Sequence, residues 1–416
     1  MYEWTSDGTW KNWAVEWTLR LADQQFRTTD HEAGFILPPS YGNGYRLTND
    51  TTYRRALIQA ARSLATRYNS VVGCVRSWQT LHFPVIIDGM VAIRLLWWAS
   101  KETGDTTLYA KAMSHSLKTM ENNVRPDGSC YQIVDYNPTT GQIYSRQNKQ
   151  GYTSSTTWSR GQAWAIYGFT IAYRETGDGR FAQTAQRAAD YFVDNLPLDN
   201  VPYWDFQAPK IPNEEKDVSA AAIAASGLLE LSSLISSSGP REKYRNAAVS
   251  IIASLCSPAY LAAGTSSRAI LLHGVGNRMN DDRDAGEVDV SLIYADYFFL
   301  EALTRYLKIS PPVAVIDDRS GTVPTSIHLL QNYPNPFNSR TIISFELPRD
   351  SWVELSVMNL LGEKVGTLSS GFHLQGKHSV VWHGNDASGR SLSSGTYFYQ
   401  LRADAGVLTK RMILIK

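Results

Sequence analysis

One short turn occurs four times in the first 180 residues, and it constrains the fold more than any other feature. It consists of Thr, then Ser, Asn or Gly, then Asp, at residues 5–7, 48–50, 103–105 and 176–178. Gly and Asn readily adopt the left-handed conformation that ends a helix, and Asp or Thr then caps the next helix. The repetition therefore predicts helical hairpins in series.

Amphipathic segments lie between and after these turns, with small or apolar residues every three to four positions. They occupy residues 53–68, 108–120, 158–178, 180–195, 219–234, 240–255 and 288–307. About ten helices, paired at a period of roughly 40–70 residues, favour a closed ring of hairpins over a short-repeat solenoid. We therefore expect an all-α toroid of (α/α) hairpins over residues 1–308. Its long loops, at 69–84, 122–156, 196–216 and 273–287, should gather on one face where a site can be built.

The hydrophobic period changes after the toroid. Residues 309–327 contain three prolines and no helical pattern, which predicts a linker. Alternating segments follow, at residues 341–347, 353–359, 377–383, 396–403 and 407–416. Short strands separated by turn residues predict a small all-β, immunoglobulin-like sandwich over residues 328–416.

Composition excludes several classes of partner. The 40 Lys and Arg balance the 39 Asp and Glu, which gives no electrostatic reason to expect nucleic acid or an anionic membrane. The three cysteines lack CxxC spacing and predict neither disulfides nor zinc, and the acidic stretch 273–289 lacks the spacing of a metal site. No apolar run reaches the roughly 18 residues of a membrane span, and the first ten residues do not form a signal peptide.

Asp88 is the main candidate for acid–base chemistry. It follows Val85, Ile86 and Ile87 and starts an apolar helix expected to run to Trp98. A helix cap would explain an Asp here, but apolar surroundings should raise its pKa toward that of a general acid near neutral pH. A second carboxylate close by would hold the proton more firmly.

The helix that starts near Trp158 has an unusual first turn. Two tryptophans, Trp158 and Trp164, flank Arg160 and Gly161, and the glycine costs about 1 kcal/mol relative to Ala. Flat rings beside a guanidinium suit a pocket for a sugar acid. The alternative is a buried helix start in which a carboxylate pairs with Arg160. Gln150 either hydrogen-bonds a sugar hydroxyl or is an ordinary loop residue.

Seven motifs resemble the unsaturated glucuronyl hydrolase family. They lie at residues 86–90, 125–141, 150–152, 158–169, 201–206, 217–231 and 287–303. The resemblance implies an (α/α)6 barrel that needs no cofactor. It also implies removal of the 4,5-unsaturated uronic acid left at the non-reducing end by polysaccharide lyases. In this reaction an acid protonates C4, water adds at C5, and the resulting hemiketal opens.

The resemblance also implies residue roles. Asp88 is expected to be the acid/base and Glu32 its partner carboxylate. The expected substrate-binding residues are His31, Trp78, Gln132, Gln150, Trp158, Arg160 and Trp164. The family has Asp where this chain has Glu32, His where it has Gln132, and Asn where it has Gly89. The match begins about one helix pair into the family's domain, so we expect a toroid incomplete at the N-terminus, with an apolar seam.

The final segment resembles the C-terminal sorting domain of type IX secretion substrates, through motifs at residues 329–348, 359–365, 394–401 and 410–416. This resemblance implies a partner, the type IX secretion machinery. It also implies a secreted or cell-surface location reached through the periplasm, with a signal peptide encoded upstream in the parent gene.

Two other functions remain open at this point. One is a hydrolase of unsaturated rhamnogalacturonan, with the same barrel and reaction. The other is a non-catalytic toroid that binds oligosaccharides, suggested by Glu32, Gln132 and the expected missing hairpin.

Overall fold

The computed structural model describes residues 2–278, 287–309, 326–338, 340–373, 375–404 and 406–415. The chain divides into two compact units, Met1–Val313 and Ala314–Lys416. Apart from residues 309, 326 and 327, the predicted linker lies outside the described residues.

Helices dominate the first unit. They are α1 (Tyr2–Thr5), α2 (Gly8–Leu19), α3 (Ala33–Ile36), α4 (Asn43–Thr48), α5 (Thr51–Ala65), α6 (Gly89–Ala92), α7 (Arg94–Thr103), α8 (Thr106–Asn123), α9 (Ser159–Thr176), α10 (Gly179–Asp194), α11 (Val218–Leu234), α12 (Ser238–Leu255) and α13 (Ile293–Ile309). Two shorter helical turns lie at Ala22–Phe26 and Pro38–Gly42.

The four repeated turns join consecutive helices, as predicted. Their middle residues have positive φ, and each Asp side chain accepts a hydrogen bond from a backbone N–H two residues later. The positive-φ residues are Ser6, Asn49, Gly104 and Gly177, and the capping residues are Asp7, Asp50, Asp105 and Asp178. Each turn therefore ends one helix and starts the next.

Helices α9 and α11 lie deepest in this unit, with most of their residues buried on all sides. Their approach is close because a Cβ on Gly227 would lie 3.1 Å from the Cα of Tyr167. Helix α6 packs on α9 in the same way, since a Cβ on Gly168 would lie 2.4 Å from the Cβ of Met90. Glycine at these crossings lets the helix backbones come together.

The helical unit also contains five short strands that the sequence patterns did not predict. β1 (Tyr68–Asn69) pairs with β2 (Cys74–Val75), and β3 (Pro84–Ile86), β4 (Ile133–Tyr136) and β5 (Ile143–Gln147) form an antiparallel sheet. Strand β3 leads directly to Asp88. The order in the sheet is β3-β4-β5, so β5 lies at its edge.

Two predicted helix bounds were wrong. The helix expected to run from Asp88 to Trp98 is interrupted at Ile93, which separates α6 from α7. The helix expected from residue 288 begins only at Ile293. Gly274 and Val290 exchange two backbone hydrogen bonds of 2.8 Å, and this pairing holds residues 287–290 outside the helix.

The second unit is a sandwich of two sheets, with strand orders β10-β9-β12-β13-β7 and β11-β8-β6. Its strands are β6 (His328–Leu329), β7 (Phe337–Asn338), β8 (Thr341–Leu347), β9 (Ser351–Met358), β10 (Lys364–His373), β11 (Gly376–Trp382), β12 (Gly395–Ala403) and β13 (Gly406–Ile415). All five predicted strands are present. β10 was missed because its Gly and Ser residues break the alternating pattern. Within the described residues, no helix is long and apolar enough to cross a membrane.

The close packing of α3 on α6 can be tested by a substitution at Gly34. A Cβ at Gly34 would lie 2.4 Å from the backbone oxygen of Ala92. We therefore expect Gly34→Ala to lower the free energy of unfolding of the helical unit by about 1–3 kcal/mol. Denaturant unfolding followed by tryptophan fluorescence measures the change.

The matched control is Gly179→Ala, because nothing lies within 4 Å of a Cβ at Gly179 in the first turn of α10. This control should be neutral or slightly stabilising. Equal stability of the two variants would contradict the close seating of α3.

Candidate active site

Asp88 lies between strand β3 and helix α6, at the cap position of the helix, but its side chain makes no capping hydrogen bond. Its Oδ2 atom is buried and has no hydrogen-bond partner among the described residues. The pKa of Asp88 is raised to about 7, mainly by burial; the charge of Arg160 opposes the rise, and the charge of Glu32 adds a smaller contribution to it. The carboxyl group is thus suited to exchange a proton near neutral pH.

The charge of Glu32 acts on Asp88, and Glu32 directly precedes α3, which packs closely on α6 where Gly34 meets Ala92. The backbone N–H of Glu32 donates to Oδ1 of Asp30 at 2.9 Å, which fixes the residue just before α3. Its side chain makes no capping bond. The charge of the longer Glu side chain still raises the pKa of Asp88, as the smallest of the influences on it.

An aromatic row links several of the predicted site residues. Trp78 contacts the ring of His31 edge to face at 6.2 Å, His31 contacts Phe35 at 5.8 Å, and Phe35 contacts Trp164 at 5.5 Å between ring centroids. Trp164 is itself buried and packs on Phe298 at 5.1 Å. The structure therefore brings Trp78, His31 and Trp164 to one wall.

The protonation state of His31 follows from its contacts. Its Nδ1 lies 3.1 Å from the backbone oxygen of Ser77 and must donate to it. Burial also lowers the pKa of His31, which favours the neutral ring. Its buried Nε2 is then an acceptor, with no partner among the described residues.

Gln132 and Gln150 are joined directly. Nε2 of Gln132 donates to Oε1 of Gln150 at 2.6 Å, and Oε1 of Gln132 accepts the backbone N–H groups of Lys149 and Gln150 at 2.8 and 2.9 Å. Nε2 of Gln150 donates to the backbone oxygen of Gly276 at 2.9 Å. The buried Gln132 side chain therefore holds the loop that carries Gln150 through three hydrogen bonds.

Arg160 is 4 % exposed, and its guanidinium has internal partners. Nη1 donates to Oδ2 of Asp217 at 2.8 Å and to the backbone oxygen of Val275, and Nη2 donates to that of Gly276. These contacts favour the alternative in which a carboxylate pairs with Arg160. The arginine holds the loop segment 275–276 and supplies a fixed positive charge near Asp88.

Trp158 is buried beneath the same arginine, with its ring centroid 4.4 Å from the Arg160 guanidinium. The ring also explains Gly161. A Cβ there would lie 2.7 Å from Cε3 of Trp158 and 3.5 Å from Cγ2 of Ile87. The close approach at this glycine therefore comes from packing inside the protein.

Tyr294 is a site residue that the sequence patterns did not indicate. Burial raises the pKa of its hydroxyl to about 12, and the charges of Arg160, Asp217, Glu287 and Asp88 all act on it. Its ring lies 5.4 Å from the Arg160 guanidinium. In the structure Tyr294 falls in the first turn of α13, whereas the helix start predicted at residue 288 placed it in the interior of that helix, so no sequence signal marked it.

In the described part of the acidic stretch near His273, this histidine pairs with one carboxylate. Nδ1 of His273 lies 2.6 Å from Oδ1 of Asp289. The Glu287 carboxylate instead lies against Gly276, where a Cβ would be 2.0 Å from its Oε2. Residues 279–286 lie outside the described part, and the described part contains no group of three or more His, Cys, Asp or Glu that could hold a metal.

Comparisons with known proteins define the class. Residues 1–197 match the model of Glycosyl Hydrolase Family 88, and residues 331–416 match the Secretion system C-terminal sorting domain. An unsaturated glucuronyl hydrolase from Formosa agariphila is 37 % identical over 313 residues, which cover 73 % of this chain and 76 % of the relative. An unsaturated chondroitin disaccharide hydrolase from Streptococcus pneumoniae is 32 % identical, with 74 % and 78 % covered.

Solved structures agree with this class. The crystal structure of an unsaturated glucuronyl hydrolase specific for heparin has a TM-score of 0.70 and 38 % identity, with 74 % of this chain and 83 % of that chain covered. The Bacillus sp. GL1 enzyme has a TM-score of 0.69 and 32 % identity, with 73 % and 82 % covered. The chain therefore belongs to glycoside hydrolase family 88 and carries a secretion sorting domain. The family and the helical toroid predicted from the sequence motifs are confirmed.

The buried pair of Arg160 and Asp217 can be tested through stability. Arg160→Ala leaves the Asp217 charge buried without its partner, and we expect it to lower the free energy of unfolding by about 3–5 kcal/mol. The double variant Arg160→Met/Asp217→Asn removes both charges and should recover much of this loss. Chemical denaturation measures all three proteins. Unchanged stability with a raised KM would instead make Arg160 a ligand of the substrate carboxylate.

Proposed function

We propose that this chain removes a 4,5-unsaturated uronic acid from the non-reducing end of oligosaccharides that polysaccharide lyases produce. The observation that carries the proposal is the buried Asp88 carboxyl, whose pKa is raised to about 7 by burial and, to a smaller extent, by the charge of Glu32. Relatives named for action on unsaturated glucuronyl and chondroitin substrates support the same chemistry.

Protonated Asp88 donates its proton to C4 of the unsaturated sugar, and positive charge develops at C5 and the ring oxygen. Water adds at C5 and loses a proton to the Asp88 carboxylate. The product is a hemiketal, which opens and releases the neighbouring sugar. One carboxyl group thus gives and recovers the proton, so the reaction does not depend on the carboxylate spacing of ordinary glycosidases.

The other site residues have supporting roles in this proposal. Glu32 keeps the proton on Asp88 until substrate binds. Trp78 offers a partly exposed ring to a sugar face, and the free Nε2 acceptor of His31 can take a hydroxyl hydrogen. Arg160 acts by position, since its charge limits how far the pKa of Asp88 rises.

We further propose the domain organisation and destination of the chain. Residues 1–308 form the hydrolase domain, 309–327 the linker and 328–416 the sorting domain. The match of residues 331–416 to a secretion sorting domain supports recognition by the type IX machinery and a place on the cell surface or in the medium.

The reaction is tested with an unsaturated glucuronyl disaccharide. Hydration removes the conjugated alkene carboxylate, so its ultraviolet absorbance should fall with the wild-type chain. Asp88→Asn should lose at least about 100-fold in rate, as expected for a general acid. Binding without any loss of absorbance would favour the oligosaccharide-binding toroid, and activity only on pectin-derived disaccharides would favour the rhamnogalacturonan hydrolase.

The pH dependence offers a second test. Asp88 must be protonated to act, so kcat/KM should fall as the pH rises through about 7. Glu32→Gln removes a negative charge that raises this pKa, and the falling limb should therefore move to lower pH. Profiles of kcat/KM against pH for the wild type and Glu32→Gln measure this shift. A limb that stays in place would show that Glu32 does not act on Asp88.

A further inference from the structure

We propose that a cleft outside the catalytic site binds anionic saccharides. Its volume is about 430 Å³, and its walls are Tyr131, residues 143–146 of β5 and residues 154–155. This volume lies within the range of small-molecule pockets. The choice of ligand class rests on the proposed function, whereas the cleft itself does not include any residue assigned to that reaction.

Tyr144 gives the cleft a rigid aromatic platform. Its side chain is 52 % exposed, yet its hydroxyl accepts a hydrogen bond of 2.6 Å from Nδ2 of Asn137. The ring rests on His82 at 4.4 Å between centroids, and His82 is itself held by the buried Asp135 at 2.8 Å. An exposed ring fixed in this way loses little conformational freedom when a sugar face stacks on it.

Arg146 adds a fixed positive charge to the cleft. It lines the cleft together with Tyr144, from two residues further along the edge strand β5. Nε and Nη2 of Arg146 donate to the backbone oxygen and Oδ1 of Asn122 at 3.2 and 3.4 Å, which orients the guanidinium.

A second arginine lies nearby. The guanidinium of Arg125 stacks 3.9 Å from the ring centroid of Tyr131, and that of Arg146 is 6.0 Å from the same ring. Among the residues that the structure describes, neither arginine forms an ion pair with Asp or Glu. Both Nη atoms of Arg125 donate to Ser129, Thr157 and Thr156, so Arg125 adds positive charge without facing the ligand. Arg146 lines the cleft and is the residue that can pair with a carboxylate or sulfate.

The loop that carries Gln150 also contributes to the cleft. Ser154 and Ser155 line the cleft four and five residues after Gln150, and Ser145 adds a third hydroxyl. An aromatic ring, an oriented guanidinium and several hydroxyls together match a sugar that bears a negative charge. A neutral saccharide could not form an ion pair with Arg146. The glycans that yield unsaturated uronyl products carry a carboxylate in each repeat.

Binding is measured by calorimetry with the full chain and a saturated chondroitin sulfate tetrasaccharide, which lacks the C4=C5 bond and is not hydrated. Tyr144→Ala and Arg146→Ala should each weaken binding by roughly tenfold, through loss of stacking and of a charge-assisted hydrogen bond. Tyr144→Phe keeps the platform and should bind nearly as well as wild type.

Arg55→Ala is the matched control, because it removes the same charge from an exposed position on α5. Hydration of the unsaturated disaccharide by Tyr144→Ala should stay at the wild-type rate. The cleft proposal is overturned if wild type does not bind the probe, if Tyr144→Ala and Arg146→Ala bind it normally, or if Arg55→Ala weakens binding equally. Hydration is assayed separately, so a chain that binds through Tyr144 but does not hydrate would refute only the proposed function.

Discussion

Helix α6 contacts α3 through Gly34 and α9 through Gly168, and neither contact leaves room for a Cβ. The first contact packs the helix that follows Glu32 against α6, and the second packs α6 on α9, most of whose residues are buried. Asp88 stands at the free end of α6, so its depth and its surroundings follow from these two crossings. The acid chemistry proposed for the site depends on that depth, because burial is the largest influence on the pKa of Asp88.

Two charges adjust the proton affinity that burial creates. Glu32 raises the pKa of Asp88 and Arg160 lowers it. Arg160 can do so without a substrate, because Asp217 and two backbone oxygens hold its guanidinium in place. A charge fixed by the protein keeps the same position throughout a reaction, and this is the condition for electrostatic preorganisation.

The positions that differ from the family pattern are accommodated by local contacts. Gln132 uses both ends of its amide to hold the Gln150 loop, which an imidazole ring could not reproduce in the same geometry. Gly89 leaves space beside His115, whose Nε2 would lie 3.1 Å from a Cβ at that position. His115 accepts the backbone N–H of Val75 through Nδ1, and burial lowers its pKa to about 3. These departures therefore remain compatible with an ordered site.

Helical hairpins, the five longer predicted strands of the sandwich and the burial of Asp88 could be predicted from the sequence, because caps, periodicity and an apolar flank are local signals. The partners of Arg160, the hydrogen bonds between Gln132 and Gln150, the position of Tyr294 and the sheet that precedes Asp88 became visible in the tertiary structure alone. Asp217 lies 57 residues after Arg160, and Gly276 lies 126 after Gln150. Local patterns carry no information about such distant pairs, since their contact arises only when the loops of separate hairpins meet on one face.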